Sequence, residues 1–227
     1  MASLQGRSVD VHRPRVEILI GWGMLLAAQT ALLAAYLTAR NLSPGFFHLA
    51  PFIWINVGLW AAWRTSPPKA PRRRRRAAAA VAAGYFLLVG YVAGIYAVDP
   101  FGGIAHPASG FRFEAAYPPG YGPAAFYAGE YVQVALVPYL LVGYLSIAYL
   151  VYVTALDAAR SAAGGVFGLV ACIGCAWPLL APVLAGVAGG GTALTSAVYA
   201  NSSELSTLAF LAAIAVLTWR PLGRGDE

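Results

Sequence analysis

Charge is what this chain has least of. Only 11% of its residues are Asp, Glu, Lys or Arg, against roughly 25% in an ordinary soluble domain, and that shortage excludes a conventional water-solvated fold. Cysteine and methionine are scarcer still, two of each, and there are three histidines. Two cysteines are too few for a disulfide-stapled secreted scaffold. The sequence offers no nucleophile with an accompanying base, no phosphate-cradling glycine loop and no haem-type histidine pair at membrane depth, so enzyme catalysis is the least supported class. What is present instead is apolar: 59% hydrophobic residues and a mean hydropathy of +0.66. The 227 residues leave room for about six spans of about 20 residues and little for a separate soluble domain. The net charge of +6 gathers at expected helix ends and in one run, which points to membrane orientation and lipid phosphates and away from nucleic acid.

Read in order, the chain opens on a basic lead with Arg7, Arg13 and Arg15. The apolar run from about 18 to 39 is too long for a signal-peptide core of about 7–15 residues and is expected to be a retained first helix. A second span is expected over 46–63, with Trp54, Trp60 and Trp63 as interfacial or lipid-facing anchors. Next comes SPPKAPRRRRR, Ser66 to Arg76, whose prolines stop a helix and whose arginines cannot enter hydrocarbon, so it must be an exposed loop. A third span is expected over 77–98, then an aromatic, Pro- and Gly-rich cap on the outer membrane surface over 99–129, with Phe111, Phe113, Tyr117, Tyr121 and Tyr127 among its rings. Spans over 131–155, 163–188 and about 200–219 complete the series. The start of the last is open, because Leu205 to Trp219 alone would be only about 22 Å long.

Six spans with the N-terminus inside would place thirteen basic residues (Arg7, Arg13, Arg15, Arg64, Lys69, Arg72 to Arg76, Arg160, Arg220, Arg224) in the cytoplasm and two, Arg40 and Arg112, outside. That asymmetry is what the positive-inside rule expects. The expected fold is therefore an all-α bundle of six transmembrane helices, a single domain over 1–227, with both termini cytoplasmic, in a multi-pass protein of the cell membrane.

Chemistry is expected where reactive groups lie at membrane depth. Cys172 and Cys175 sit in GGVFGLVACIGCAWPLLAPVLAGVAGGG, three residues apart and so on one helix face, with Cβ atoms about 5–6 Å apart. Pro178 cannot donate to the carbonyl of Gly174, and Pro182 repeats the interruption, so the helix is expected to bend or open at the pair. Such thiols could exchange electrons with a partner, or hold a soft ion such as Cu(I). Equally, Gly164, Gly168, Cys172 and Ala176 recur every four residues, a small-residue stripe that packing alone would explain. His48, His106 and Glu130 fall near the expected outer surface, where they could form a polar entrance or metal site. Glu130 and Gln133 would lie one turn apart at the head of the fourth helix. Gln29, Thr30 and Asn56 are expected to bond between helices.

CIGCAWPLLAPVLAGVAGGG, from Cys172 to Gly191, resembles the cysteine-pair segment of small, largely uncharacterised membrane proteins of halophilic archaea, some of them associated with terminal-oxidase gene neighbourhoods. More loosely it is similar to thiol-disulfide carriers of cytochrome c biogenesis and to mercuric-ion transporters. The first resemblance implies an accessory or maturation role beside a respiratory membrane complex, with Cys172 and Cys175 handling copper or thiols. A small transporter lined by the broken fifth helix, and a structural subunit whose cysteines only pack, are the other readings. The expected partners are the lipid bilayer and a membrane protein or a second copy of the chain.

Overall fold

A computed structural model describes residues 13–98, 110–158 and 202–218. The chain divides into two units, 1–44 and 45–227. The first consists of helix α1 (Arg13–Arg40) and its flanks. α1 ends because Asn41 takes a φ of 51°, letting the N–H of Leu42 reach the Leu37 carbonyl at 3.0 Å, a left-handed helix stop that Asn tolerates well. Within it Thr30 donates back to the Leu26 carbonyl at 2.8 Å, so its hydroxyl is satisfied inside its own helix and not between helices.

The second unit holds helices α2 (Phe46–Arg64), α3 (Arg72–Val92), α4 (Pro138–Ala158) and α5 (Ser202–Thr218). It also holds four strands, β1 (Tyr96–Val98), β2 (Gly110–Glu114), β3 (Ala124–Ala128) and β4 (Val132–Leu136). The strands form one antiparallel sheet in the order β1-β4-β3-β2. This sheet overturns the all-α bundle of six transmembrane helices. Among the described residues there are five helices, and three of them are long and apolar enough to cross a membrane, Val16–Arg40, Phe46–Arg64 and Pro138–Asp157. The α3 helix carries its five arginines inside its first turns, and α5 is short. The topology inferred from six alternating crossings, termini included, falls with the count.

Both places where an expected span becomes strand have a local cause. The α3 helix stops at a Schellman turn: Gly94, at φ +74°, lets the Ile95 N–H bond the Gly90 carbonyl at 2.8 Å and its own N–H bond Tyr91 at 3.2 Å. A left-handed residue there is cheap only for glycine. Tyr96–Val98 therefore leaves the helix and pairs with Val132–Val134. At the other junction Pro138 sits at the first position of α4, where its missing N–H costs nothing, and its ring pushes the preceding residue into extended backbone. The β-branched stretch before it, VQVAL, is left as strand. The helix pair α3–α4 thus continues beyond its own ends as the β1–β4 ladder.

The core lies along α4, which is apolar on nearly every side and touches α2, α3 and α5. Trp54, Tyr144, Ile147, Leu150, Val151, Phe210 and Ile214 are its centre. Trp54 is 3% exposed, so it is a core residue and not the interfacial anchor expected of it, whereas Trp60 and Trp63 are exposed. Its burial depends on a gap in α4: a Cβ on Gly143 would stand 2.4 Å from Trp54 Cε3. A second close approach sets Gly58 against Ser146, where a Cβ would be 2.9 Å from Oγ. Small residues at such crossings are what bring apolar helices together when no water drives them.

Candidate functional site

The two ends of the second unit differ in chemistry, and helix direction defines them. The α2 helix starts beside the β2–β3 loop, where Phe47 stacks on Tyr121 at 4.4 Å, and it ends at Arg64. The α4 helix also starts at the sheet, and its last turns reach the arginines, since Arg75 Nε donates to the Tyr152 hydroxyl at 3.4 Å and Tyr149 to the Thr65 carbonyl at 2.8 Å. The α5 helix runs parallel to α2: Trp54 Nε1 donates to Thr207 Oγ1 at 3.1 Å, and one turn on Phe210 lies 3.6 Å from the Cβ position of Gly58.

At the sheet end an aromatic column leads inward. Tyr121 meets Tyr139 edge to face at 4.8 Å and shares a hydroxyl hydrogen bond with it. Burial first, then Tyr139, pushes the Tyr121 phenol above its ordinary value, so it stays neutral. Tyr139 meets Trp54 at 5.6 Å, and Trp54 stacks on Phe210 at 4.2 Å and 10°. The loop is locked onto α2 at Gly120, whose φ of +91° and Cβ position 2.5 Å from Pro51 Cβ admit glycine alone. Its carbonyl accepts the Tyr139 N–H at 3.2 Å. The column is a continuous run of ring contacts from the β2–β3 loop to the core.

Of the outer polar group expected from sequence, His48 and Glu130 are described and lie in different elements, a helix and a strand turn. His48 sits in the first turn of α2 with its ring against Phe47, and its Nδ1 is buried with no hydrogen-bond partner among the described residues. Glu130 is exposed in the turn joining β3 to β4, and Gln133 lies on β4 opposite Ala97 and Ala128, so the pair does not head a helix. Neither a hydrogen bond nor an ion pair joins His48 to Glu130 among the described residues. No group of three or more His, Cys, Asp or Glu that could hold a metal occurs among them either. His106, Cys172, Cys175, Pro178 and Pro182 lie outside the described residues.

The opposite end is basic. Arg72 to Arg76 are exposed at the N-terminal turns of α3, where cations oppose the helix dipole and nothing acidic in the first turn offsets them. Pro67, Pro68, Lys69, Ala70 and Arg75 border an open recess of about 260 Å³.

The feature that sequence reasoning missed is the sheet surface. Directly opposed residues of a ladder point to the same side. The pairs Phe111↔Tyr127, Phe113↔Ala125, Tyr127↔Val134, Ala125↔Leu136, Tyr96↔Val134 and Val98↔Val132 therefore build one apolar face, while Arg112 and Glu114 take the other. Phe111 is 68% exposed and Phe113 61%. The signal legible in sequence is the alternation GFRFE, of period two.

These elements define a helical protein of membrane-crossing composition, with a basic helix end and an antiparallel sheet at the other. The chain belongs to a family of unknown function, DUF7546, whose pattern matches residues 1–224. No curated protein and no solved structure matches it.

Proposed function

We propose that this is a multi-pass protein of the cell membrane that serves as an accessory or assembly factor for a membrane complex, a respiratory one in the resemblance to haloarchaeal proteins, with Cys172 and Cys175 handling copper or thiols. The observation that carries the reading is the opposition of two helix ends. The α4 helix finishes at the arginine end and α5 begins at the sheet end, and the chain joining these two levels contains the cysteine pair. Two thiolates suit a soft monovalent copper ion or a thiol exchange. The transporter reading places its path along the fifth span, 163–188, which lies outside the described residues.

Mass-shift alkylation of Cys172 and Cys175 in isolated membranes tests it. Labelling that appears only after reductant supports thiol exchange, and labelling released by a Cu(I) chelator alone supports copper handling. Two thiols that stay unlabelled until the protein is denatured, under every treatment, would reduce the pair to packing and end this reading.

A further inference from the structure

The apolar face of the sheet has an occupant defined by the helix it grows from. The uncharged part of α3, Ala77–Val92, is about 24 Å long at 1.5 Å per residue, against a hydrocarbon core of about 30 Å. Arg72 to Arg76 hold its first turns at one headgroup layer. Its last turn then ends about 6 Å beneath the opposite hydrocarbon surface, and β1 begins there. The flank of α3 at that end is apolar and exposed, with Leu87, Leu88, Tyr91 and Val92 on it.

Tyr96 shows which way the sheet is turned. Its ring folds back against Gly90, 3.2 Å from that residue's Cβ position, and its hydroxyl donates to the Leu87 carbonyl. Because Tyr96 belongs to the same face as Val134, Tyr127 and Phe111, the apolar face continues the exposed flank of α3. The other side of β2 carries Arg112 and Glu114, both exposed, so this strand is amphipathic and exposed along its whole length.

We propose that the apolar face of the sheet rests in the headgroup–acyl boundary of the leaflet opposite the arginine run, with Phe111, Phe113 and Tyr127 as its anchors. Aromatic side chains are at home at that depth. Among the described residues β2 is an edge strand of the sheet, and the N–H and C=O groups of its outer edge set the limit of immersion, since hydrocarbon cannot satisfy them. Side chains of the face enter, the strand edge stays among hydrated headgroups, and Arg112 and Glu114 face water. This inference rests on the membrane reading above but not on the cysteine chemistry.

The test is spin labelling at Phe113→Cys, Arg112→Cys and Leu88→Cys, each in a Cys172→Ser, Cys175→Ser chain reconstituted in phosphatidylcholine–phosphatidylglycerol bilayers, with collision rates measured for oxygen and for a water-soluble nickel chelate. The expected result is oxygen access severalfold above nickel access at position 113, the reverse at 112, and oxygen dominance at 88. Equal nickel access at 113 and 112 overturns the proposal while leaving the membrane reading intact, and nickel dominance at 88 overturns both. Should the serine background fail to fold, benzoylphenylalanine placed at Phe113 in the native-cysteine chain gives the same decision. A photo-adduct with lipid supports the proposal, and a crosslink to a second copy or to another protein overturns it.

Discussion

At the scale of single residues, absent side chains shape this protein as much as present ones do. Trp54 can stack on Phe210 and donate to Thr207 only because Gly143 leaves its face of α4 bare. A Gly143→Ala variant must move an indole already held on several sides, and overpacking of this kind costs about 1–3 kcal/mol. Thermal unfolding in detergent should show that loss, and an unchanged midpoint would mean that the α2–α4 crossing is looser than its distances indicate. Trp54 was also the residue most easily misread from sequence. An indole in an apolar run looks the same whether it anchors at an interface or fills a core, and only the hydroxyl of Thr207, 153 positions away, decides the matter.

At the scale of elements, two residues convert helix into sheet. Gly94 and Pro138 stood in plain view, each with a known meaning at a helix end, yet hydropathy alone joined helix to strand across both of them. A strand that is apolar on one side and packed on the other adds to a hydropathy window as well as a helical turn does, so the expected third and fourth spans ran on into β1 and β4. Gly94 gives a direct test. Nothing lies within 4 Å of a Cβ placed there, so Gly94→Ala carries only the conformational cost of a left-handed residue, about 1–2 kcal/mol. Hydrogen exchange should then rise first at Ile95 and Tyr96. Uniform exchange along α3 and β1 would show that the turn is not what separates them.

At the scale of the molecule, the described ends carry opposite instructions: guanidinium groups at one, aromatic rings and a sheet at the other. Clustered arginines beside an apolar helix favour the anionic cytoplasmic leaflet by about 1 kcal/mol per residue near the surface. Replacing Arg72 to Arg76 with Gln should therefore produce a mixed orientation of the α2–α3 loop, read by protease protection of a tag inserted between Ser66 and Pro71. Retention of a single orientation would assign orientation to another part of the chain.

Composition and patterning by themselves determined that this chain is built of apolar helices and that the proline-rich stretch after Arg64 breaks them, although Arg72 to Arg76, expected in that loop, form the first turns of α3, and that among the described residues the stretch before α4 holds no long helix, because charge, proline and glycine act through local solvation and backbone sterics. The pairing of the strands, their register, the burial of Trp54 and the placement of Glu130 in a strand turn were decided only by tertiary structure. Strand pairing and helix crossing join residues far apart in the chain, and no local preference encodes which partner each will find.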